Sequence, residues 1–242
     1  MKDECRPSPN SANRSLFVGR VKESERIRKE LSEGNNLVLT GPFGIGRTAL
    51  LRHLAKDLEE GFRFIFMDGS QTPGRLCEQL LLDGTSRPAV PTRNATVPWK
   101  IDRHRLETRR ERDPRTIVLV LDDLAKVTAP KLDFLRWLNG LDHYKIVAVT
   151  ERFLLEKDLA RLRRSLFPAP IVTVGPLSMT SAERFFGAWA LQHGVGWSPE
   201  IIHGLVLATR GYPTGMWEAA RAGVKTGSGL NPTNHQHGQG DA

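Results

Sequence analysis

Two hydrophobic patterns alternate along most of this chain. One is helical: within Glu23–Glu33, Ile27 and Leu31 fall one turn apart among charged residues. The other is the short continuous run. Leu37-Val38-Leu39-Thr40, Phe62–Met67, Thr116–Leu121, Lys145–Val149 and Ile171–Val174 read as strands of this kind, and Thr116–Leu121 is a continuous run of β-branched residues and Leu. Runs of this length read as strands covered on both faces. Helical stretches separate them: Ala49–Leu58, where Gly61 is expected as a left-handed cap, then Leu76–Leu82, the charged segment Lys100–Arg112, the stretch holding Leu132, Leu135, Trp137 and Leu138, and Phe153–Leu166. Five buried strands divided by helices predict an α/β fold, a five-stranded parallel sheet with helices on both sides. After Pro176 only helical patterns follow, at Ser181–His193, Pro199–Thr209 and Thr214–Ala222. They predict a small C-terminal helical lobe, and no internal repeat is visible.

The ends lack either period. Residues 1–15 are polar and broken by Pro7 and Pro9, and residues 225–242 are rich in Gly, Asn and His, so both are expected as loose tails. His235 and His237 in the second tail have metal-ligand chemistry, but a solvated tail accounts for them better. The expected division is therefore an arm at 1–15, an α/β domain at 16–176, a helical lid at 177–224 and a tail beyond. The segment 84–97 carries Pro88 and Pro91 and is expected as a long loop.

Composition narrows the class. The chain has 242 residues with 35 Lys+Arg against 27 Asp+Glu, a formal charge of +8. Its 39% hydrophobic fraction with 22 Gly excludes wholesale disorder. No apolar run approaches the length of a membrane span or of a secretory signal, so a cytoplasmic protein is expected. Two cysteines, Cys5 and Cys77, make neither a disulfide framework nor a metal cluster.

The chemistry concentrates behind the first strand. Gly41-Pro42-Phe43-Gly44-Ile45-Gly46-Arg47-Thr48 fits the phosphate-loop pattern G-x-x-x-x-G-K-[ST] with Arg in place of Lys, and Ala49 continues into a helix. A strand enters, glycines let backbone N–H groups wrap phosphates, and the positive end of a helix dipole follows. Thr48 would supply a hydroxyl to Mg²⁺. Arg47 keeps the charge of the usual Lys but is wider, planar and forked. Further on, the buried strand Ile117–Leu121 ends in Asp122-Asp123. Asp122 is placed to hold Mg²⁺ through water, and Asp123 to polarise an attacking water, with shorter reach than a Glu.

These motifs together resemble a STAND-type P-loop ATPase, the signalling branch close to AAA+ proteins that includes the NB-ARC and archaeal-type ATPase families. The resemblance covers residues 16–222 and implies an ASCE-type sheet with a helical lid, and ATP or ADP with Mg²⁺ as cofactors. Leu16-Phe17-Val18-Gly19-Arg20 with Glu23 is similar to the hhGRxxE box, which implies that Val18, Gly19 and Arg20 belong to the adenine pocket. Lys145–Thr150 followed by Glu151-Arg152 resembles the strand ending in Thr-Thr-Arg, implying a sensor role for Thr150 and Arg152. Val174-Gly175-Pro176-Leu177-Ser178 resembles the lead-in to the lid, and Arg210-Gly211-Tyr212-Pro213 the lid's GxP motif, implying that Tyr212 and Pro213 pack on the base. Family members usually continue into a winged-helix domain, which is not seen after this lid.

Two basic regions complete the reading. Residues 84–115 hold nine Lys or Arg against four Asp or Glu, which makes Lys100, Arg103, Arg105, Arg109, Arg110 and Arg112 candidates for phosphate contacts to DNA, with Trp99 beside them to stack a base. A solvated helix with internal charge pairs is the competing reading. Arg163 and Arg164 follow the sensor strand, where related subunits present an arginine finger to a neighbour in a homo-oligomer. Three functions fit these residues: a slowly hydrolysing ATP switch whose lid angle follows the nucleotide and exposes a protein partner's surface; a DNA-associated AAA+-like regulator of the replication or mobile-element type; and a nucleotide-stabilised scaffold that does not hydrolyse, motivated by Arg47 and Asp123.

Overall fold

The computed structural model describes residues 16–83, 99–108, 113–151 and 154–227. Residues 1–15, 84–98, 109–112, 152–153 and 228–242 lie outside the described residues, and with them the expected arm, loop and tail, Arg109, Arg110, Arg112, Arg152, His235 and His237. The chain forms two compact units, Arg20–Gly175 and a second built from the residues before Arg20 and after Gly175. Among the described residues no helix is long and apolar enough to cross a membrane.

The first unit runs α1 Val21–Ser32, β1 Leu37–Gly41, α2 Arg47–Asp57, β2 Phe62–Asp68, α3 Pro73–Asp83, α4 Trp99–Thr108, β3 Thr116–Asp122, α5 Ala129–Asn139, β4 Tyr144–Glu151, α6 Glu156–Ser165 and β5 Ile171–Thr173. The five strands form one sheet in the order β2-β3-β4-β1-β5, every pairing parallel. This is the α/β architecture expected from the hydrophobic runs. β3 lies inside the sheet, and Ile117–Leu121 are all buried there. Each such side chain contributes about 1.5–3 kcal/mol on burial.

Strand alternation divides the core. Val38, Leu119, Leu121, Ile146 and Ala148 pack with Leu76 and Leu80 of α3, Leu106 of α4, Phe134 and Leu135 of α5 and Leu162 of α6. One expectation changes: α2 ends at Asp57, where the Leu58 N–H bonds the Leu54 carbonyl, so Gly61 is not its left-handed cap. Gly61 instead closes a turn onto Leu58 and accepts from Thr116 N at 3.1 Å, guiding the chain into β2 beside β3.

The second unit contains α7 Met179–His193, α8 Pro199–Thr209 and α9 Pro213–Gly227. Its helices start on polar caps. Ser178 Oγ accepts from Ser181 N at 3.2 Å, and Ser198 Oγ from Ile201 N at 3.4 Å ahead of Pro199. Phe185, Phe186, Trp189, Val206 and Met216 form its core, with Trp189 and Trp217 edge to face at 4.8 Å. Leu16 is buried in this core and Val18 packs against it, so residues 16–19 belong with the helices, whereas the hydrophobic pattern grouped them with the sheet.

Candidate functional site

In a parallel sheet all strands point the same way, so the ends of β1, β3 and β4 share one edge. Gly41 ends β1, Asp122 ends β3 and Glu151 ends β4, and Gly41 and Glu151 are register partners. A Cβ at Gly41 would lie 2.7 Å from the Val174 carbonyl oxygen, so only glycine lets the loop leave the sheet here. Gly44 and Gly46 then take φ of +73° and +90°, a conformation glycine enters without strain. Pro42 is half-buried, Phe43 exposed, and Ile45 is buried under the loop.

Helix α2 begins at Arg47 directly behind Gly46, with no side chain capping its first turn. Its first N–H groups face the end of the loop, and such uncapped donors with the dipole's positive end suit an anion. Ala49, exposed in that turn, adds no side chain that would block them.

Thr48 Oγ1 donates to Asp122 Oδ2 at 2.7 Å. The two residues stand 74 positions apart, and the fold places a hydroxyl and a carboxylate at one point beside the loop. Hard oxygen donors in this number suit Mg²⁺, which takes one or two protein ligands and completes its shell with water and phosphate. Among the described residues no group of three or more His, Cys, Asp or Glu could hold a metal ion, so a closed all-protein cage is not built there. The loop, the bare helix start and the oxygen pair fit a magnesium nucleotide.

Asp123 follows with φ of +56°, in the left-handed region. The Leu124 N–H bonds the Val149 carbonyl at 2.9 Å and Asp123 N–H bonds Asp122 Oδ1 at 3.1 Å, and these bonds turn the backbone there. Asp123 itself is exposed at the sheet edge. Thr150, the candidate sensor, is buried, and its Oγ1 has no hydrogen-bond partner.

Arg47 is turned toward the sheet. Its Nη1 donates to the Gly41 carbonyl at 2.9 Å and to the Thr150 carbonyl, and its Nη2 stands 3.6 Å from Glu151 Oε1. Arg20 is also committed inside the unit. Its Nη2 donates to the Ile45 carbonyl at 2.9 Å, and its Nη1 to the Gly175 carbonyl at 2.5 Å and to Glu23 Oε1 at 3.1 Å. This buried guanidinium fastens the phosphate loop to the two points where the chain passes between units. The remaining predicted base-pocket residues lie in the helical unit. A Cβ on Gly19 would meet Leu177 and Ser181, Gly211 accepts from Leu177 N at 2.9 Å, and Val18 and Leu177 pack on the same core. Tyr212 is exposed and Pro213, which opens α9, is half-buried beside them in sequence.

Beside Asp122, Gly69 N–H donates to the Asp122 carbonyl at 2.5 Å, and Lys131 Nζ donates to the Gly69 carbonyl at 2.5 Å. Burial pushes the Lys131 ammonium down in pKa, with Asp68 opposing the shift. Hydrogen bonds from Ser70 hold the Asp68 carboxyl below its ordinary value. Sequence reasoning assigned no role to Glu151, Lys131 or Asp68. A carboxylate directly after the sensor threonine was the available signal for Glu151.

The basic regions look different from the loop site. The Arg103 guanidinium lies 4.4 Å from the Trp137 ring centre, and Trp137 Nε1 donates to Glu107. Arg105 is exposed on α4, and Lys100 lies in that helix's first turn. Arg163 Nε donates to the Ala169 carbonyl at 3.1 Å, and Arg164 is exposed.

Three of the solved structures that share the fold illustrate it. They are the Aeropyrum pernix Orc1 protein in complex with DNA (TM-score 0.57, 16% identity over 89% of this chain and 66% of that one), a Walker-type ATPase of Pyrococcus abyssi (0.59, 15%, 92% and 70%), and the replication initiator DnaA bound to AMPPCP and single-stranded DNA (0.57, 14%, 89% and 66%). This chain thus spans about two thirds of the length of each. A search of the curated proteins finds no match. The family profile described as AAA ATPase domain matches residues 16–149, from the segment before α1 through β4. That span contains the phosphate loop and the Thr48–Asp122 pair, and on it the chain belongs to the AAA ATPase domain family.

Proposed function

We propose that the chain is an ATP-binding switch of slow turnover, of the STAND kind within the AAA+ group, holding ATP or ADP with Mg²⁺ at the C-terminal edge of its sheet. The observation that carries this reading is the Thr48–Asp122 contact beside the uncapped start of α2. Gly41 to Thr48 cradle the phosphates with backbone N–H groups, and Thr48 and Asp122 hold the metal. Bound there, Mg²⁺ supplies neutralisation of phosphate charge. Asp123 orients water, and Thr150 reads the terminal phosphate together with Arg152. Val18, Gly19, Tyr212 and Pro213 receive the base. Arg20, bonded to the Ile45 and Gly175 carbonyls within the sheet unit, braces the phosphate loop.

Turnover is slow because Arg47 replaces a compact ammonium and Asp123 a longer carboxylate. Melting curves with and without nucleotide test the binding. At a hundredfold excess over Kd, ATP with Mg²⁺ stabilises by about 2.7 kcal/mol, a rise of about 5–10 °C for a chain of this size. Asp122→Ala removes the Mg²⁺-dependent part of that rise, and a parent protein that shows none with millimolar ATP or ADP refutes the reading. Phosphate release separates a slow ATPase, which Arg47→Lys accelerates, from a scaffold that releases none in either form.

A second reading, a DNA-associated regulator, draws on the charge surplus of residues 84–115 and on two structural neighbours solved with DNA. Duplex DNA binding that weakens steeply between roughly 50 and 200 mM salt supports it. The stacking of Arg103 on Trp137 favours the switch, because that cation is already engaged within the protein.

A further inference from the structure

The Arg-for-Lys exchange in the phosphate loop is matched by a carboxylate that no motif explains. A guanidinium is a rigid fork of N–H donors, and in Arg47 Nη1 donates to the Gly41 and Thr150 carbonyls while Nη2 is paired with the Glu151 carboxylate at 3.6 Å. The Arg47 side chain is 12% exposed and that of Glu151 32%. Water therefore screens this pair less than it screens a surface ion pair. Its geometry is fixed by the sheet: Gly41 and Glu151 are register partners on β1 and β4, so the carboxylate stands beside the first residue of the loop. The cation that the loop pattern assigns to the phosphates is thus held by internal acceptors.

We propose that Glu151 is a positioning residue that competes with the β- and γ-phosphates of the nucleotide for the Arg47 guanidinium. The inference rests on the nucleotide reading given above and adds a regulation of that site. Phosphate oxygens arriving in the loop and the Glu151 carboxylate are anionic partners for the same guanidinium. Binding therefore proceeds against an interaction already made, and the carboxylate adds repulsion toward the incoming anion. Both effects lower affinity for nucleotides that carry a β-phosphate and leave adenosine unaffected. Lysine in place of Arg47 lacks the fork and the reach to hold Gly41, Thr150 and Glu151 together, so the competition belongs to the arginine form of the loop.

Calorimetric titration of ADP with Mg²⁺, and of adenosine, into four forms of this 242-residue chain tests this: the parent, Glu151→Gln, Arg47→Lys and the double variant. Glu151→Gln is expected to tighten ADP about fivefold, the size of an ion pair near one kcal/mol, and to leave adenosine unchanged. In the Arg47→Lys background the same substitution is expected to lose most of that gain. If Glu151→Gln leaves ADP affinity unchanged or weakens it while the parent binds, the competition is refuted and the nucleotide reading stands. A gain of equal size in both backgrounds reduces Glu151 to simple repulsion and also refutes it. If neither the parent nor Glu151→Gln binds ADP, the nucleotide reading itself fails and takes the inference with it. Glu151→Ala replaces Glu151→Gln in the same scheme if the amide variant does not fold.

Discussion

The two edges of the sheet are made from the same five strands and treat their polar groups in different ways. At the edge where the strands begin, Asn36 is buried and fully used. Its Nδ2 donates to Asn139 Oδ1 at 2.6 Å and to the Leu166 carbonyl at 2.8 Å, its Oδ1 accepts from Ile146 N at 2.8 Å, and its own N–H reaches the Pro168 carbonyl at 3.1 Å. Arg115, only half-buried, is also engaged ahead of β3, with Asp113 on one side and the Glu59 carbonyl at 2.9 Å on the other. At the edge where the strands end, Thr150 Oγ1 is buried without a partner, α2 starts without a side-chain cap, and Asp123 holds a left-handed backbone. The first edge has an unmet group too, since Ser165 Oγ beside Leu166 is buried without a partner, so the contrast is one of degree: the second edge adds a bare helix start and a left-handed backbone to its own. Unmet donors joined to local strain point to a ligand there.

The largest way to break that contrast is at Asn36. Asn36→Ala leaves the Ile146 N–H and the Leu166 carbonyl buried without partners, and a loss of about 3 kcal/mol in urea unfolding is expected. ADP affinity of the protein that remains folded should not change, because no Asn36 contact reaches the phosphate loop. A fall in affinity of the same size would mean that the edges are energetically one system.

A smaller effect is expected at Asp123, where the direction reverses. Glycine adopts φ of +56° freely, whereas a residue with a Cβ gives up about 1–2 kcal/mol there, somewhat less for Asp. Asp123→Gly should therefore raise the unfolding free energy by about 0.5–1 kcal/mol after the entropy cost of glycine is deducted, while phosphate release falls. Stabilisation joined to loss of turnover would mark Asp123 as strained for function. Destabilisation would make it an ordinary turn residue.

The contrast also explains what could be read in advance. The centres of the inner strands were legible, because Ile117–Leu121 and Ile146–Val149 are buried and burial writes itself into hydrophobicity. Their ends were less so: β3 continues to Asp122, opposite Asp68, and β4 to Glu151, opposite Gly41, because backbone pairing runs past the last apolar side chain. The loop and the Thr48–Asp122 pair were legible through motif spacing. The partners of Arg47 and Arg20 were not. Glu151 meets Arg47 only through the pairing of β1 with β4, and Arg20 meets Gly175 across 155 positions. A motif names a residue type and leaves open whether a buried carbonyl has already claimed its donors.

The smallest expected effect sharpens the contrast at the satisfied edge, through pH. Hydrogen bonds from the Arg115 side chain and then its backbone, with the guanidinium charge adding to them, lower the Asp113 pKa from its ordinary 3.8 to about 2. A carboxyl whose folded pKa is depressed binds its proton more readily when unfolded. Its contribution to stability is therefore complete above pH about 4 and disappears as pH falls from there through about 2. Asp113→Asn removes that contribution: it should lower stability slightly at neutral pH and flatten the fall between about pH 4 and 2, so that parent and variant converge at the acid end. The pair is partly open to water, so the separation at neutral pH is small, and a series of urea midpoints across this window is the measurement that resolves it. Parallel curves for the two proteins would show that Asp113 and Arg115 interact equally in the unfolded chain, where only Pro114 separates them. The order at this edge would then rest on Asn36 and on the Arg115 bond to Glu59, both of which are indifferent to acid in that range.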